Sequence, residues 1–337
     1  MTHLPVVAVV GATGAAGGTL LRVLDERSFP RADLWLFASE RSAGTRVRTR
    51  DGEREVRAVD DSGLRGADIV FFAAGAQTSR RHAPTVAGAG GVAVDKSSAY
   101  RMEPGVPLVV PEVNAHALST HRGIVANPNC VAVPLTVVLA PLHREFGLRH
   151  VTAATYQAAS GAGRGLVDEL AEQVRDAAAG REPRASLYPH VLHGNVVPGG
   201  WAMQGDDTEE EVKVREETRR VLGLPQLPIG VTTVRVPSMV GHCIALWVEL
   251  DSHAGADDAR RVLASAPGVV VEDDGAAQRY PTPFAVAGTD AVMVGRIRDD
   301  ASREHGLAMF VAVDNLRKGA ATNAVQVAEL VLARERV

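Results

Sequence analysis

The sequence predicts an α/β fold class, with a doubly wound parallel sheet in its first part and an α+β second part built on a mixed sheet. Three observations carry that prediction. Over roughly the first 110 residues, short β-branched runs alternate with helix-like stretches, the pattern of parallel strands joined by crossover helices. The first run, Val6–Val10, is apolar throughout rather than alternating, which fits a strand buried on both faces. From about residue 128 the runs lengthen and alternate, which suits an antiparallel or mixed sheet.

The elements follow in order. After Val6–Val10 comes a helix whose apolar stripe is Leu20, Leu21, Val23 and Leu24, stopped by Ser28-Phe29-Pro30. Strands are expected at Asp33–Ala38, residues 55–59, residues 68–74 and Val92–Asp95, with a short one at residues 108–110. By pattern this is a nucleotide-binding half. In the second part strands are expected at residues 151–159, 230–237, 243–250, 269–272, 291–298 and 307–313. Thr208-Glu-Glu-Glu211 has the capping-box spacing, in which the threonine hydroxyl and the third glutamate satisfy free backbone donors, so a helix is predicted over Glu209–Leu222. Residues 316–335 carry an apolar period through Ala320, Ala324, Val327 and Leu330, and a last helix of this kind is expected to return to the first domain. The expected domains are therefore residues 1–127 completed by residues 315–337, and residues 128–314.

Composition narrows the function classes. The 337 residues, 46% of them apolar, can bury a sizeable core in each of two domains. No apolar run approaches the roughly 18 to 20 residues that span a bilayer, and residues 1–5 run into the first strand without a basic and apolar leader, so neither membrane nor secretion is expected. With 36 basic and 40 acidic side chains the net charge is −4, and no long basic block offers a face to nucleic acid. Two cysteines, Cys130 and Cys243, allow at most one disulfide; a reducing cytoplasm is the expectation, and each is judged as a possible reactive thiol. No metal is expected.

Gly11-Ala-Thr-Gly14-Ala-Ala-Gly17 lies between the first strand and first helix, where a dinucleotide's pyrophosphate would rest. Glycines allow a tight turn and close approach, and the free N–H groups at the helix start attract an anion. The spacing is G-x-x-G-x-x-G rather than G-x-G-x-x-G, and a glycine-rich turn without a ligand is the plainer alternative. After the second strand come Ser39-Glu40-Arg41-Ser42. An acid there accepts from ribose hydroxyls, whereas a cation with a hydroxyl suits a 2′-phosphate; Arg41 and Ser42 favour NADP over the NAD that Glu40 would serve, against a solvated loop.

Asn127-Pro128-Asn129-Cys130 precedes an apolar, helix-suited run, so Cys130 is expected at a helix N-terminus, where partial positive charge favours thiolate. The competing reading is a small buried hydrophobe. Cys243 lies inside an apolar strand and is expected to be core; on a strand it does not share a face with His242, so that adjacent pair is not the expected dyad. His242, at a strand start, reads as acid–base or as structural. Glu210 and Lys213 share a helix face and read as binding groups or as a surface ion pair. Arg101 and Arg235 alone read as surface charges.

Taken in order, Val9-Val10-Gly11-Ala-Thr-Gly14-Ala-Ala-Gly17, Phe37-Ala-Ser-Glu-Arg-Ser-Ala-Gly44, Val109-Val110-Pro-Glu-Val-Asn114, Ala126-Asn-Pro-Asn-Cys130, Tyr156-Gln-Ala-Ala-Ser-Gly-Ala-Gly163, Thr208-Glu-Glu-Glu-Val-Lys213, Arg235-Val-Pro237 with Gly241-His242, and Asp314-Asn-Leu-Arg-Lys-Gly-Ala320 resemble the aspartate-semialdehyde dehydrogenase family. The resemblance covers nearly the whole chain. It implies a Rossmann-type NADP-binding domain and a catalytic and dimerisation domain. It makes Cys130 the nucleophile, His242 the general acid/base and Gln157 a positioner of substrate and thioester. It assigns Arg235 to the substrate's α-carboxylate, Glu210 to its amino group, and Arg101, Lys213 and Asn129 to phosphate. It places the cofactor on Gly11, Thr13, Gly14, Ala15, Ala16, Gly17, Arg41, Ser42, Ser160, Gly161 and Asn315. The implied reaction is NADPH-dependent reductive dephosphorylation of L-4-aspartyl phosphate to L-aspartate 4-semialdehyde through a cysteine thioester, at the branch point to lysine, threonine and methionine, in a cytoplasmic homodimer.

Some segments depart from the family pattern. Val131-Ala-Val-Pro134 follows Cys130 where a hydroxyl residue is usual, Cys243 follows His242 where serine is usual, and Gly199-Gly200-Trp201 is unusual after Pro198. These put the substrate's identity in question more than the chemistry. A reductase of another acyl phosphate such as N-acetylglutamyl phosphate, an enzyme acting on a modified aspartate, and a catalytically silent NADP-binding scaffold stay open. The Asn-Pro-Asn-Cys form and Lys213 speak against the first, and the joint presence of Cys130, Gln157, Arg235 and His242 against the last.

Overall fold

The computed structural model describes residues 4–334. Residues 1–3 and 335–337, which the expected first domain and last helix include, lie outside the described residues. The chain divides into two compact units, Met1–Asn129 with Ala320–Val337, and Cys130–Gly319.

Unit 1 is built on seven strands: β1 (Val6–Val10), β2 (Asp33–Ala38), β3 (Arg46–Thr49), β4 (Gly52–Ala58), β5 (Ile69–Phe72), β6 (Val92–Asp95) and β7 (Ile124–Ala126). Their order is β3-β4-β2-β1-β5-β6-β7, all parallel except the β3–β4 hairpin. The unbroken apolar run of β1 has the predicted cause. Val7 and Val9 pack into one core cluster with Leu20, Leu24 and Phe71, while Ala8 and Val10 pack into another with Phe37 and Phe72. Burying each large side chain of this kind contributes about 1.5–3 kcal/mol. The chain runs outward from β1 through β2 to the β3–β4 hairpin and then crosses back to β5 on the other side of β1, so the strand order reverses beside β1, where a doubly wound sheet opens a crevice at its carboxyl ends.

Differences from the expected strands have local causes. The strand expected at 55–59 is the second arm of a hairpin whose first arm, β3, reads as charged loop because Arg46 and Arg48 alternate with Val47 and Thr49. Residues 108–110 form a single bridge, Leu108 to Ala126, because Pro111 opens a helical turn and cuts the run short. The unpredicted β7 holds the sheet edge instead. The last helix runs over Thr322–Arg334, after a wider π turn at Arg317–Ala321. It buries Ala324, Val325, Val327, Ala328 and Val331 in the cluster that holds Val7 and Val9. Asn323 at its start donates to the Val109 carbonyl (2.9 Å) and to Asn127 Oδ1 (2.8 Å), bracing the loop that leads to Cys130.

Unit 2 contains β8 (Leu148–Tyr156), a short hairpin of β9 (Met203–Gln204) and β10 (Asp207–Thr208), β11 (Ile229–Thr232), β12 (His242–Leu250), β13 (Val269–Val271), β14 (Val292–Asp299) and β15 (Gly306–Val313). The main sheet is mixed, in the order β11-β8-β12-β15-β14-β13. β12 is antiparallel to both β8 and β15, and Cys243 pairs with Tyr156 while His242 pairs with Val313. That register brings the end of β8, the start of β12 and the end of β15 to one edge of the sheet. The predicted capping box is present, with Thr208 and Glu211 each satisfying the other's backbone N–H, and the helix covers Glu209–Leu222. Among the described residues no helix is long and apolar enough to cross a membrane.

Candidate active site

In unit 1, Gly11 follows β1 directly with φ +90°, and a Cβ there would stand 2.8 Å from the Ala73 carbonyl oxygen. A Cβ at Gly17 would collide with the Gly11 backbone. The Gly11 and Ala12 N–H groups donate to the Phe37 carbonyl (2.8 and 3.1 Å), which pulls the turn tight against β2. The helix Ala15–Glu26 then begins at the N-cap Gly14, which has no side chain to cap it. The first-turn N–H groups of Ala15, Ala16 and Gly17 are those a helix leaves for an outside acceptor, so the turn fits a pyrophosphate. Thr13 and Gly14 are exposed at its tip. Glu40, Arg41 and Ser42 form a short 3₁₀ turn just beyond β2, with Arg41 exposed and Ser42 half-buried.

Unit 1 also holds Arg101 and Asn129. The Arg101 guanidinium is fixed by donating from Nε to the Asn127 carbonyl (3.0 Å) and from Nη2 to the Lys96 carbonyl (2.8 Å). Asn127 itself donates its N–H to the Asp95 carbonyl at the end of β6 (2.7 Å), and Asn129 is buried. The strand end thus sets the path of the Asn127-Pro128-Asn129 approach.

In unit 2, Cys130 is half-buried and stands one residue before Val131, the N-cap of the fifteen-residue helix Ala132–Phe146. It packs against Gly319: a Cβ at that glycine would lie 3.1 Å from the Cys130 carbonyl oxygen and 3.4 Å from its Cβ. The loop after β15 that carries Gly319 also carries Asn315. Asn315 Oδ1 accepts from the Gly241 N–H (3.0 Å) and from Ser160 (3.1 Å), which ties down the residue before His242. Ser160 and Asn315 are thus each other's buried partners.

His242 and Arg235 meet on one peptide. The Ala158 N–H donates to His242 Nδ1 (3.0 Å), and the Ala158 carbonyl accepts from Arg235 Nη1 (2.8 Å). With Nδ1 occupied as an acceptor, the neutral imidazole carries its proton on Nε2. That Nε2 is buried without a hydrogen-bond partner. Burial, and then the Arg235 charge, hold the imidazole well below its ordinary pKa, so it is neutral near pH 7. A Cβ at Gly161 would stand 2.9 Å from both His242 Nε2 and Arg235 Nη1, so only glycine leaves both groups open. Arg235 is 2% exposed rather than a surface charge, and its Nε is buried and unpaired.

Gln157 is held at both ends: its carbonyl accepts from the Thr155 hydroxyl (3.0 Å) and its amide donates to Glu210 Oε1 (3.0 Å). Glu210 is buried in the first turn of its helix. Lys213 does not pair with Glu210; its ion pair is with Glu209, at 3.2 Å. Cys243 packs with Val286 and Ala312, and burial pushes its thiol up to about 12. It is core, and no disulfide joins it to Cys130.

Sequence reasoning missed Thr155, Ala158 and the role of Trp201. Ala158 works through its backbone and leaves no signal in a residue type. Trp201 had one, as an aromatic in an unusual segment.

Residues 6–121 match the family model described as semialdehyde dehydrogenase, NAD binding domain, and residues 139–318 match semialdehyde dehydrogenase, dimerisation domain. The chain is 43% identical over 331 residues to the aspartate-semialdehyde dehydrogenase of Aquifex aeolicus, covering 97% of each. The chain belongs to the aspartate-semialdehyde dehydrogenase family. It is also 44% identical over 344 residues to the Streptomyces akiyoshiensis aspartate-semialdehyde dehydrogenase, covering 97% of this chain and 98% of the relative. Among solved structures, aspartate semialdehyde dehydrogenase II of Vibrio cholerae, complexed with ASA, superposes with a TM-score of 0.96 at 37% identity over 100% of both chains. The α/β class, with a parallel nucleotide-binding sheet and a second mixed-sheet unit, is the fold of this family of oxidoreductases.

Proposed function

We propose that this aspartate-semialdehyde dehydrogenase family member reduces L-4-aspartyl phosphate to L-aspartate 4-semialdehyde, using NADPH and a thioester on Cys130. Over a reductase of another acyl phosphate or a silent scaffold, the relatives favour this reading. The observation that carries it is the Ala158 peptide, which holds His242 through Nδ1 and Arg235 through Nη1 and so supports His242 as an Nε2–H donor and Arg235 as a carboxylate receptor.

The steps follow from these residues. Cys130 Sγ forms a bond to the acyl carbon, and the C–O bond to phosphate breaks, leaving a thioester. A soft nucleophile divides one difficult reduction into two accessible ones. When bound, NADPH supplies the hydride for the second. His242 Nε2–H hydrogen-bonds to the acyl oxygen as it becomes an oxyanion and keeps its proton; as the carbonyl re-forms, the C–S bond breaks and Cys130 leaves as thiolate. In this tautomer His242 works as a donor first; taking a proton from the Cys130 thiol would require it to give up the Ala158 bond. Gln157 orients the acyl group, Glu210 meets the ammonium, and Arg101, Asn129 and Lys213 serve phosphate. The turn at Gly11, Thr13, Gly14, Ala15, Ala16 and Gly17 would hold the cofactor's pyrophosphate, Arg41 and Ser42 its 2′-phosphate, with Ser160, Gly161 and Asn315 as further cofactor residues.

We assign residues 1–127 with 315–337 to the nucleotide and residues 128–314 to catalysis and dimerisation, in a cytoplasmic homodimer. Ala154, Tyr156, Ala245, Trp247 and Phe310 alternate with core residues on one half-open face of the unit 2 sheet, which suits a second copy.

The test is NADPH formation from L-aspartate 4-semialdehyde, phosphate and NADP. Turnover is expected, and its absence in folded protein would sink the reading. Equal turnover with NAD would refute the roles of Arg41 and Ser42 alone.

A further inference from the structure

The guanidinium of Arg235 has one hydrogen bond among the described residues, from Nη1 to the Ala158 carbonyl (2.8 Å). This leaves the edge formed by Nε–H and Nη2–H, a planar fork that matches a carboxylate. The Cζ atom of the same guanidinium lies over the Trp201 ring, 4.6 Å from its centre. Trp201 is half-buried and comes from the loop before β9.

That loop is built to hold the indole there. Val197 pairs with Arg235 through reciprocal backbone bonds of 2.9 and 2.8 Å, which anchors the loop beside the arginine. Tyr188 donates to the Gly199 carbonyl (2.7 Å). Gly200 has φ +86°, and a Cβ there would collide with the Tyr188 hydroxyl, so the tyrosine closes over a position that only glycine can occupy. The unusual Gly199-Gly200-Trp201 segment thus has one physical outcome: an aromatic face laid on the buried arginine.

We infer that Trp201 is a positioning residue for the substrate's α-carboxylate: by stacking on Arg235 it dries one guanidinium face and leaves the Nε/Nη2 edge as the fork that the carboxylate enters in plane. This rests on the reading of Arg235 as the carboxylate ligand. A guanidinium stripped of water on one face attracts both the ring and an in-plane anion more strongly than a solvated one.

The test compares KM and kcat for L-aspartate 4-semialdehyde in wild type, Trp201→Ala, Trp201→Phe, Trp201→Leu and Arg235→Lys, with 3-aminopropanal as the substrate that lacks the carboxylate. Trp201→Ala is expected to raise the semialdehyde KM by about 5- to 20-fold with kcat within about 2-fold. The KM for 3-aminopropanal, phosphate and NADP should stay put. Trp201→Phe should recover most of the loss and Trp201→Leu little of it. If Trp201→Ala leaves the semialdehyde KM unchanged while Arg235→Lys raises it, the inference falls and the carboxylate reading stands. If Arg235→Lys leaves it unchanged, both fall. Full recovery by Trp201→Leu, or an equal rise for 3-aminopropanal, would reduce Trp201 to packing and overturn the inference. Should Trp201→Ala fail to fold, the phenylalanine and leucine variants decide by the same comparison.

Discussion

In unit 1 the groups offered to a ligand are mainly backbone, whereas in unit 2 they are side chains held by backbone. The turn after β1 presents first-turn N–H groups, and Gly11 and Gly17 are required there because a side chain would strike Ala73 or Gly11. In unit 2, Cys130, Gln157, Arg235 and His242 are the side chains proposed to do the chemistry, and a single peptide at Ala158 holds two of them. The contrast explains why the two regions read so differently from sequence. A turn that needs glycine announces itself by its spacing, while a peptide that holds a histidine and an arginine can belong to any residue.

Removing the donor should have the largest effect. His242→Ala is expected to lower kcat by about 10²- to 10³-fold, the loss typical of one oxyanion donor, while the KM for NADP changes little. A comparable rise in the NADP constant would break the division of labour between the units. The reciprocal change sits in unit 1. Arg41→Ala should raise the KM for NADP by about 10-fold, one charge-assisted contact, and leave the semialdehyde KM alone. Steady-state kinetics with each substrate varied in turn checks both.

Buried and neutral, His242 also ties the stability of unit 2 to pH. Its pKa is lowered in the folded chain, so on acidification the unfolded chain takes the proton first. Stability is therefore complete above the ordinary histidine pKa of about 6.5 and falls as pH drops below it, by up to about 1.4 kcal/mol per pH unit from this group. Urea unfolding at pH 7.5, 6.0 and 5.0 should show a shallower acid slope for His242→Ala than for wild type. Equal slopes would mean that the ring is protonated when folded.

Cys243 gives the smallest effect and sharpens the contrast with Cys130. Its thiol stays protonated and covered, so native protein should take up one equivalent of a thiol reagent, at Cys130. Cys243→Ala should cost about 1–2 kcal/mol of stability, the removal of one small buried group, and leave kcat unchanged. Rapid labelling at both positions would contradict the assignment.

Much of the fold was legible because periodicity is a local signal. Val6–Val10, Asp33–Ala38, Val92–Asp95 and the capped helix Glu209–Leu222 all fall where their residues predict. What escaped depends on pairing across the chain. Residues 108–110 and Ile124–Ala126 are equally apolar and short, and only the neighbour available at β6 decides that the second becomes the strand. The site divides in the same way. Cys130 and the glycine turn are chemical types in telling places. Gly161 was read for the cofactor, yet its visible constraint is room for His242 and Arg235, and Trp201 takes its meaning only from the arginine beneath it.

The central claim is that Cys130 carries the acyl group while His242 serves as the donor beside it. It is tested most directly by mixing the protein with L-4-aspartyl phosphate in the absence of NADPH, quenching in acid, and measuring intact and peptide masses. One aspartyl group per chain is expected on the Cys130 peptide, none in Cys130→Ala, and the adduct should disappear when NADPH is added. Phosphate release with Cys130 unmodified, or the same adduct on Cys243, would contradict it.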